Sequence, residues 1–296
     1  MELFRALAVL AEPPVAEAAR VAEALELGPM PGAAAYTELF VFELYPYASA
    51  YLGAEGMLGG EARDRVAGFW RALGETPPAE PDHLSVMLAL YARLVEMEES
   101  ERDAVRRAGL RGARRAFLWE HILSWLPVYL TKLSETASDS FYRRWGEILS
   151  EALREEAKSL GAQAQLPIHL REAAALGLVD PREGSVEDFL QSLLAPVRSG
   201  MILLRSDLSR AARHLRLGLR LGERRFILKA LFSQDGAGVL EWLSMEADAW
   251  VERHRLQRGS LGAVAVAWEE KAVASANLLK ELGRAARLEK GSVRSS

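Results

Sequence analysis

Apolar residues recur at three- and four-residue spacing through most of this chain, and proline, glycine, aspartate and serine punctuate the pattern. The periodicity predicts helices near 3–11, 15–27, 34–44, 61–73, 83–100, 102–133, 139–160, 186–195, 207–217, 223–233, 237–255 and 261–288. Within 237–255, Leu240, Leu243, Ala247, Trp250, Val251 and His254 share one stripe, as a helix packed on a globular core requires. The stretch Gly161 to Pro181, with Pro167 and Gly177, reads as a linker between a body over 1–160 and a helical extension over 182–296. The residues Lys290 to Ser296 read as a frayed end, and no repeat that would build a solenoid is present.

Composition sharpens this to an all-α fold, a compact multi-helix bundle with an additional helical extension. Half of the 296 residues are hydrophobic and threonine occurs four times, so helix formers prevail over the β-branched residues that strands favour. The absence of cysteine excludes disulfides, thiolate zinc sites, iron–sulfur ligation and a thiol nucleophile. No run reaches the ~18 apolar residues of a membrane span, and Met1 to Leu10 lacks a basic leader, so a soluble, cytoplasmic protein without stable membrane insertion is expected.

A net charge of −4 argues against a general nucleic-acid binder, but the charge is unevenly placed. Residues 75–103 carry eight acidic side chains against two arginines, and residues 198–229 carry nine basic against two acidic. The first region suits a peptide with a basic end and the second an anion, unless both are solvated helix faces. Arg210 and Arg213 fall on one helical face, where they could meet a phosphate or an acidic client patch, or form ordinary salt bridges.

The candidate chemistry lies in two short segments. Asp82 precedes the apolar run Leu84, Val86, Leu88, Leu90, so it is expected to cap that helix and to leave the imidazole of His83 available to a ligand. Glu120 and His121 sit on an aromatic helix with Phe117, Trp119, Ile122 and Trp125, which is either core or one wall of a peptide groove, and Pro127 should interrupt it. Histidines at 83, 121, 169, 214 and 254 show no zinc-protease pairing, and neither a nucleophile elbow nor a phosphate loop occurs. Gly218, Gly222, Gly236 and Gly238 read as helix stops rather than a dinucleotide fingerprint.

Three motifs in order, Tyr45-Pro46-Tyr47-Ala48-Ser49-Ala50-Tyr51-Leu52, Glu80-Pro81-Asp82-His83-Leu84 and Phe117-Leu118-Trp119-Glu120-His121 with Trp125-Leu126-Pro127, resemble the TorD/DmsD family of molybdoenzyme maturation chaperones over about residues 36–150. Ala48 stands where the family usually has glutamate, and the Glu-Pro-Asp-His segment lacks a residue often found before the aspartate. The resemblance implies an all-helical, non-enzymatic chaperone without a cofactor. It would bind the twin-arginine signal peptide, the folded body, or both, of a molybdopterin oxidoreductase catalytic subunit until the cofactor is inserted. It implies peptide-binding roles for Asp82 and His83, and weaker ones for Tyr47, Ser49, Tyr51, Glu120, His121 and Trp125. Glu80, Asp82 and Glu120 could meet guanidinium groups, with Tyr47, Tyr51, Trp119 and Trp125 as the apolar wall. Two other readings stand beside it. One is a nucleotide- or metal-binding helical protein, or an enzyme, using Asp82, His83 and His121; the other is an assembly factor that contacts a folded client through its arginine-rich extension. Exchange of helices across 161–181 would make a domain-swapped dimer as accessible as a monomer.

Overall fold

The computed structural model describes residues 2–293, the last five of them by backbone alone. The fold is all-α: among the described residues the only extended pairing is one isolated antiparallel bridge, Tyr47 with His83. The expected frayed end at Lys290 to Ser296 is helical backbone as far as Val293, and 294–296 lie outside the described residues. The chain divides into two compact units, Met1–Gly53 with Leu58–Arg171, and Ala54–Met57 with Glu172–Ser296.

The first unit begins with α1 (Glu2–Val9), α2 (Ala18–Ala24) and α3 (Ala33–Tyr36), the last continuing as a π-turn over Thr37–Glu43. The short α4 (Ser49–Leu52) and α5 (Gly60–Ala72) lead to α6 (Leu84–Ser100). This last helix is buried on most of its circumference, at Leu84, Met87, Leu88, Leu90, Tyr91, Leu94 and Val95, and is therefore central. It packs on α1 and on α7 (Ala104–Phe117). The single helix expected over 102–133 is broken: α7 passes into a π-turn at Leu118–Ile122, with Leu123 N–H donating to Leu118 O at 2.7 Å. Trp125 leaves helical geometry before α8 (Leu126–Thr136), which carries Pro127 in its first turn, where a missing N–H costs nothing.

α9 (Ser140–Leu160) is capped by the Asp139 carboxylate, which accepts from Phe141 N–H at 2.7 Å. Its stripe Phe141, Tyr142, Trp145, Leu149, Leu153, Ala157 and Leu160 is buried, and α9 packs on α8 and α1. Trp145 Nε1–H donates to Leu7 O at 3.1 Å, so this buried ring leaves no orphan donor. The stretch 161–181 is not open chain throughout, since it holds α10 (Ile168–Glu172) and a 3₁₀ turn at Ala173–Ala175.

The second unit is built on α14 (Arg224–Leu261) and α15 (Ala263–Val293), the most extensively packed helix pair, with α11 (Val186–Leu194), α12 (Pro196–Ser199) and α13 (Arg205–Leu215) against them. The helices expected over 223–233 and 237–255 are the two helical segments of α14, which meet at a break at Asp235, whose φ of −150° and ψ of 83° are non-helical. Gly236 and Gly238 therefore lie just after the break, at the start of the second segment. His254 packs at 5.3 Å from Trp250 and 6.0 Å from Trp268, and its Nε2–H donates to Gly200 O at 2.7 Å. Burial pushes its pKa down to about 4, so the imidazole is neutral in the folded protein.

Candidate functional site

The first two motifs meet at the isolated bridge. Ala48 N–H donates to Asp82 O at 3.1 Å and Leu84 N–H to Pro46 O at 2.7 Å, so residues 46–48 and 82–84 run antiparallel. Sequence analysis assigned the cap of α6 to Asp82, but the cap is His83: its extended backbone precedes the helix and its Nδ1 accepts Ser85 N–H at 3.3 Å. Asp82, only 2% exposed, turns the other way and accepts Ser49 N–H at 3.1 Å, at the first residue of α4. A carboxylate expected to serve its own helix serves one that is distant in sequence, where its charge also meets the positive helix end.

Around His83 the structure adds two residues that no sequence pattern indicated. Ser85 Oγ lies 2.7 Å from His83 Nδ1 and is hydrogen-bonded to the carboxylate of Glu12, itself 3.7 Å from the imidazole. Glu12 and Ser85 are 73 residues apart in sequence, which is why spacing could not pair them. Tyr47 packs edge-on against His83 at 4.8 Å, and its hydroxyl donates to the exposed Glu80 at 2.8 Å. Burial, the Glu80 hydrogen bond and neighbouring carboxylates push the Tyr47 hydroxyl pKa well above its ordinary value. Burial lowers the pKa of His83, opposed by Glu12, Glu80 and Asp82. Ser49 is buried and its Oγ accepts Gly59 N–H at 2.9 Å. The open part of the site is thus Glu80, half of Glu12 and the edge of Tyr47, beside the exposed Phe42 and Tyr45 that precede the bridge.

The third motif supplies a separate cluster. Glu120 accepts Ile168 N–H at 2.8 Å, at the first residue of α10, and Gln163 Nε2–H at 3.1 Å, so this carboxylate too closes a helix remote in sequence. His121 packs among Phe69, Phe117 and His169. Burial, then the neighbouring His169 and Arg65, depress its pKa to about 3. Tyr51 and Trp125, expected in a groove wall, are stacked on each other in the core at 5.3 Å, with Trp125 Nε1–H donating to His121 O, and Trp119 is buried as well. The aromatic stripe is core because Phe117, Trp119 and Trp125 are all buried, a fact periodicity does not reveal.

The arrangement in which Asp82, His83 and His121 gather round a metal is not found: His83 and His121 have disjoint neighbours, and among the described residues no group of three or more His, Asp or Glu side chains could hold a metal ion. Arg210 is engaged by Asp207 at 3.2 Å, by Glu246 at 2.8 Å and by the face of Trp242, whereas Arg213 is exposed. A cleft of about 490 Å³ between α1 and α9 is lined by Leu3, Phe4, Ile148 and the acidic Glu147, Glu151 and Glu155.

Residues 10–130, which hold the bridged motifs, match the family described as nitrate reductase delta subunit. The chain is 35% identical over 115 residues to the selenate reductase assembly chaperone protein of Thauera selenatis, covering 38% of this chain and 58% of that protein. It is 33% identical over 103 residues to chaperone protein TorD of Vibrio vulnificus and 27% over 101 residues to that of Photobacterium profundum, in each case 33% of this chain and 47% of the relative. The chain therefore spans about half the length of the curated relatives it matches. Over residues 10–130, which build the Tyr47–His83 bridge and the helices around it, this chain is similar to the nitrate reductase delta subunit family and to the TorD and selenate reductase assembly chaperones.

Proposed function

We propose that this chain is a cytoplasmic maturation chaperone that holds the catalytic subunit of a molybdopterin oxidoreductase for cofactor insertion, and that it binds that subunit's twin-arginine signal peptide beside the Tyr47–His83 bridge. The observation that carries this reading is the bridge itself, which joins the first two family motifs and leaves Glu80 and half of Glu12 open beside exposed Phe42 and Tyr45. Two guanidinium groups followed by an apolar stretch call for carboxylate acceptors next to apolar surface. In this reading Glu80 and Glu12 meet the arginines. Asp82 acts indirectly, by holding the start of α4, and His83 by holding the start of α6 and backing Tyr47. Glu120 holds the start of α10, His121 packs in the core, and Trp125 backs Tyr51 of α4.

Titration calorimetry of the full chain against twin-arginine signal peptides of molybdoenzyme subunits, with a Lys-Lys peptide as control, tests the reading. Roughly micromolar binding that the control loses is expected. Glu80→Gln should weaken it by about fivefold, the value of one exposed ion pair, without lowering Tm. Glu151→Gln in the α1–α9 cleft should leave it unchanged; the reverse pattern would move the peptide to that cleft, and no binding to any peptide would remove the proposal.

A further inference from the structure

The connection between α13 and α14 is built unlike a solvated loop. Residues 213–226 read Arg-His-Leu-Arg-Leu-Gly-Leu-Arg-Leu-Gly-Glu-Arg-Arg-Phe, with Glu223 as the one acidic side chain. Leu219 is 45% exposed, Leu221 84% and Phe226 50%. Arg213, Arg216 and Arg220 alternate with them, are exposed, and have no ion pair or side-chain hydrogen bond among the described residues. The segment is nevertheless held in place. Arg216 turns the chain with φ of 56°, and the Gln234 side chain clamps Gly218, accepting its N–H at 2.7 Å and donating to its O at 2.9 Å. Gly222, at φ of 151°, lies against the Phe226 ring, where a Cβ would come within 2.9 Å of Phe226 Cδ1.

Water is a poor environment for such a segment, since three large apolar side chains stay wet while three guanidinium groups stay unneutralised. An anionic bilayer surface meets both demands together. Its headgroups neutralise arginines and its acyl boundary accepts leucine and phenylalanine to a depth of a few ångströms. An acidic protein surface would have to offer a carboxylate for each arginine and a preformed pocket for each interleaved leucine, whereas a bilayer adapts to a protruding side chain without shape complementarity. No helix among the described residues is long and apolar enough to cross a membrane, so the contact is interfacial.

We propose that the α13–α14 connection docks the protein reversibly on anionic phospholipid surfaces, with Leu219, Leu221 and Phe226 entering the headgroup layer and Arg213, Arg216 and Arg220 binding its phosphates. The full chain is sedimented with vesicles of phosphatidylcholine alone or mixed equally with phosphatidylglycerol. Partition onto the mixed vesicles should exceed that onto phosphatidylcholine by about tenfold and fall at high salt. Arg216→Glu with Arg220→Glu should abolish the preference, and Leu221→Asp should reduce partition by about fivefold or more, both with unchanged far-ultraviolet circular dichroism. Leu221→Trp, at an exposed site that tolerates a larger ring, should shift its emission to the blue on the mixed vesicles. Absence of partition, partition indifferent to these substitutions, an unshifted tryptophan, or binding of an acidic protein in place of vesicles would each overturn the proposal.

Discussion

Asp82 and Glu120 do the same work in two places: each carboxylate accepts the first N–H of a short helix that is far away in sequence. A helix start left without an acceptor exposes orphan donors, so Asp82→Ala should lower the unfolding free energy by about 1–2 kcal/mol, read from urea titration. Glu80→Gln, at an exposed pair, should change it by less than about 1 kcal/mol. The difference separates a residue that shapes the site from one that can meet a ligand. The buried imidazoles set the pH dependence. His254 titrates at about 4 in the folded chain against an ordinary 6.5, and His121 at about 3. Below pH 6.5 the unfolded chain takes up protons that the native chain refuses, so stability is complete above that pH and is lost as pH falls towards 4 and then 3. The His254 contribution alone amounts to about 3 kcal/mol over its window. Thermal melts between pH 7 and about 4 should show this decline, and His254→Phe should flatten it; parallel curves for the two proteins would show that His254 is not its source.

At the scale of elements, ion pairs and close backbone contacts hold helices that hydrophobic stripes alone would leave free to slide. Arg114 on α7 donates to Glu98 on α6 at 2.9 Å, to Tyr91 Oη at 3.1 Å and to Glu156 on α9, all at least partly buried. Removing the cation leaves two carboxylates in a poorly solvated place, so Arg114→Ala should cost roughly 3–5 kcal/mol in denaturant unfolding, far more than loss of the exposed Arg144–Glu147 pair. In the second unit α12 ends at Gly200, whose φ is 73° and where a Cβ would fall 2.2 Å from the backbone nitrogen of Ala272. Gly200→Ala therefore forces α12 away from α15 and should lower Tm strongly, by a mechanism that Arg198→Ala, at a half-buried side chain bonded to Gly177 O, does not share. The π-turn at Leu118–Ile122 explains why continuous apolar periodicity overstated helix length near 102–133. Such turns keep the apolar pattern while shifting its phase, so side chains on either side face different neighbours.

For the molecule as a whole, each unit has its own core, centred on Trp125, Trp145, Tyr91 and Tyr129 in one and on Trp250, Trp268 and Leu243 in the other. Amide exchange should accordingly report the two separately: Arg114→Ala should raise exchange most in α6, α7 and α9, and Gly200→Ala most in α12, α14 and α15. The all-α class, the positions of most long helices and the motifs that carry the family resemblance were legible from periodicity and composition, because these depend on neighbours within a few residues. The partners of the motif side chains were not. Glu12 reaches Ser85, beside His83, across 73 residues, Asp82 and Glu120 turn away from their own helices, and Tyr51 and Trp125 disappear into the core. What the amino-acid order determined by itself is the local conformation and the identity of the candidate segments, since helix propensity, capping and amphipathic spacing act over single turns. Which of those side chains remain open to a ligand was decided by tertiary structure alone, because burial and hydrogen-bond partnership depend on segments that only folding brings together.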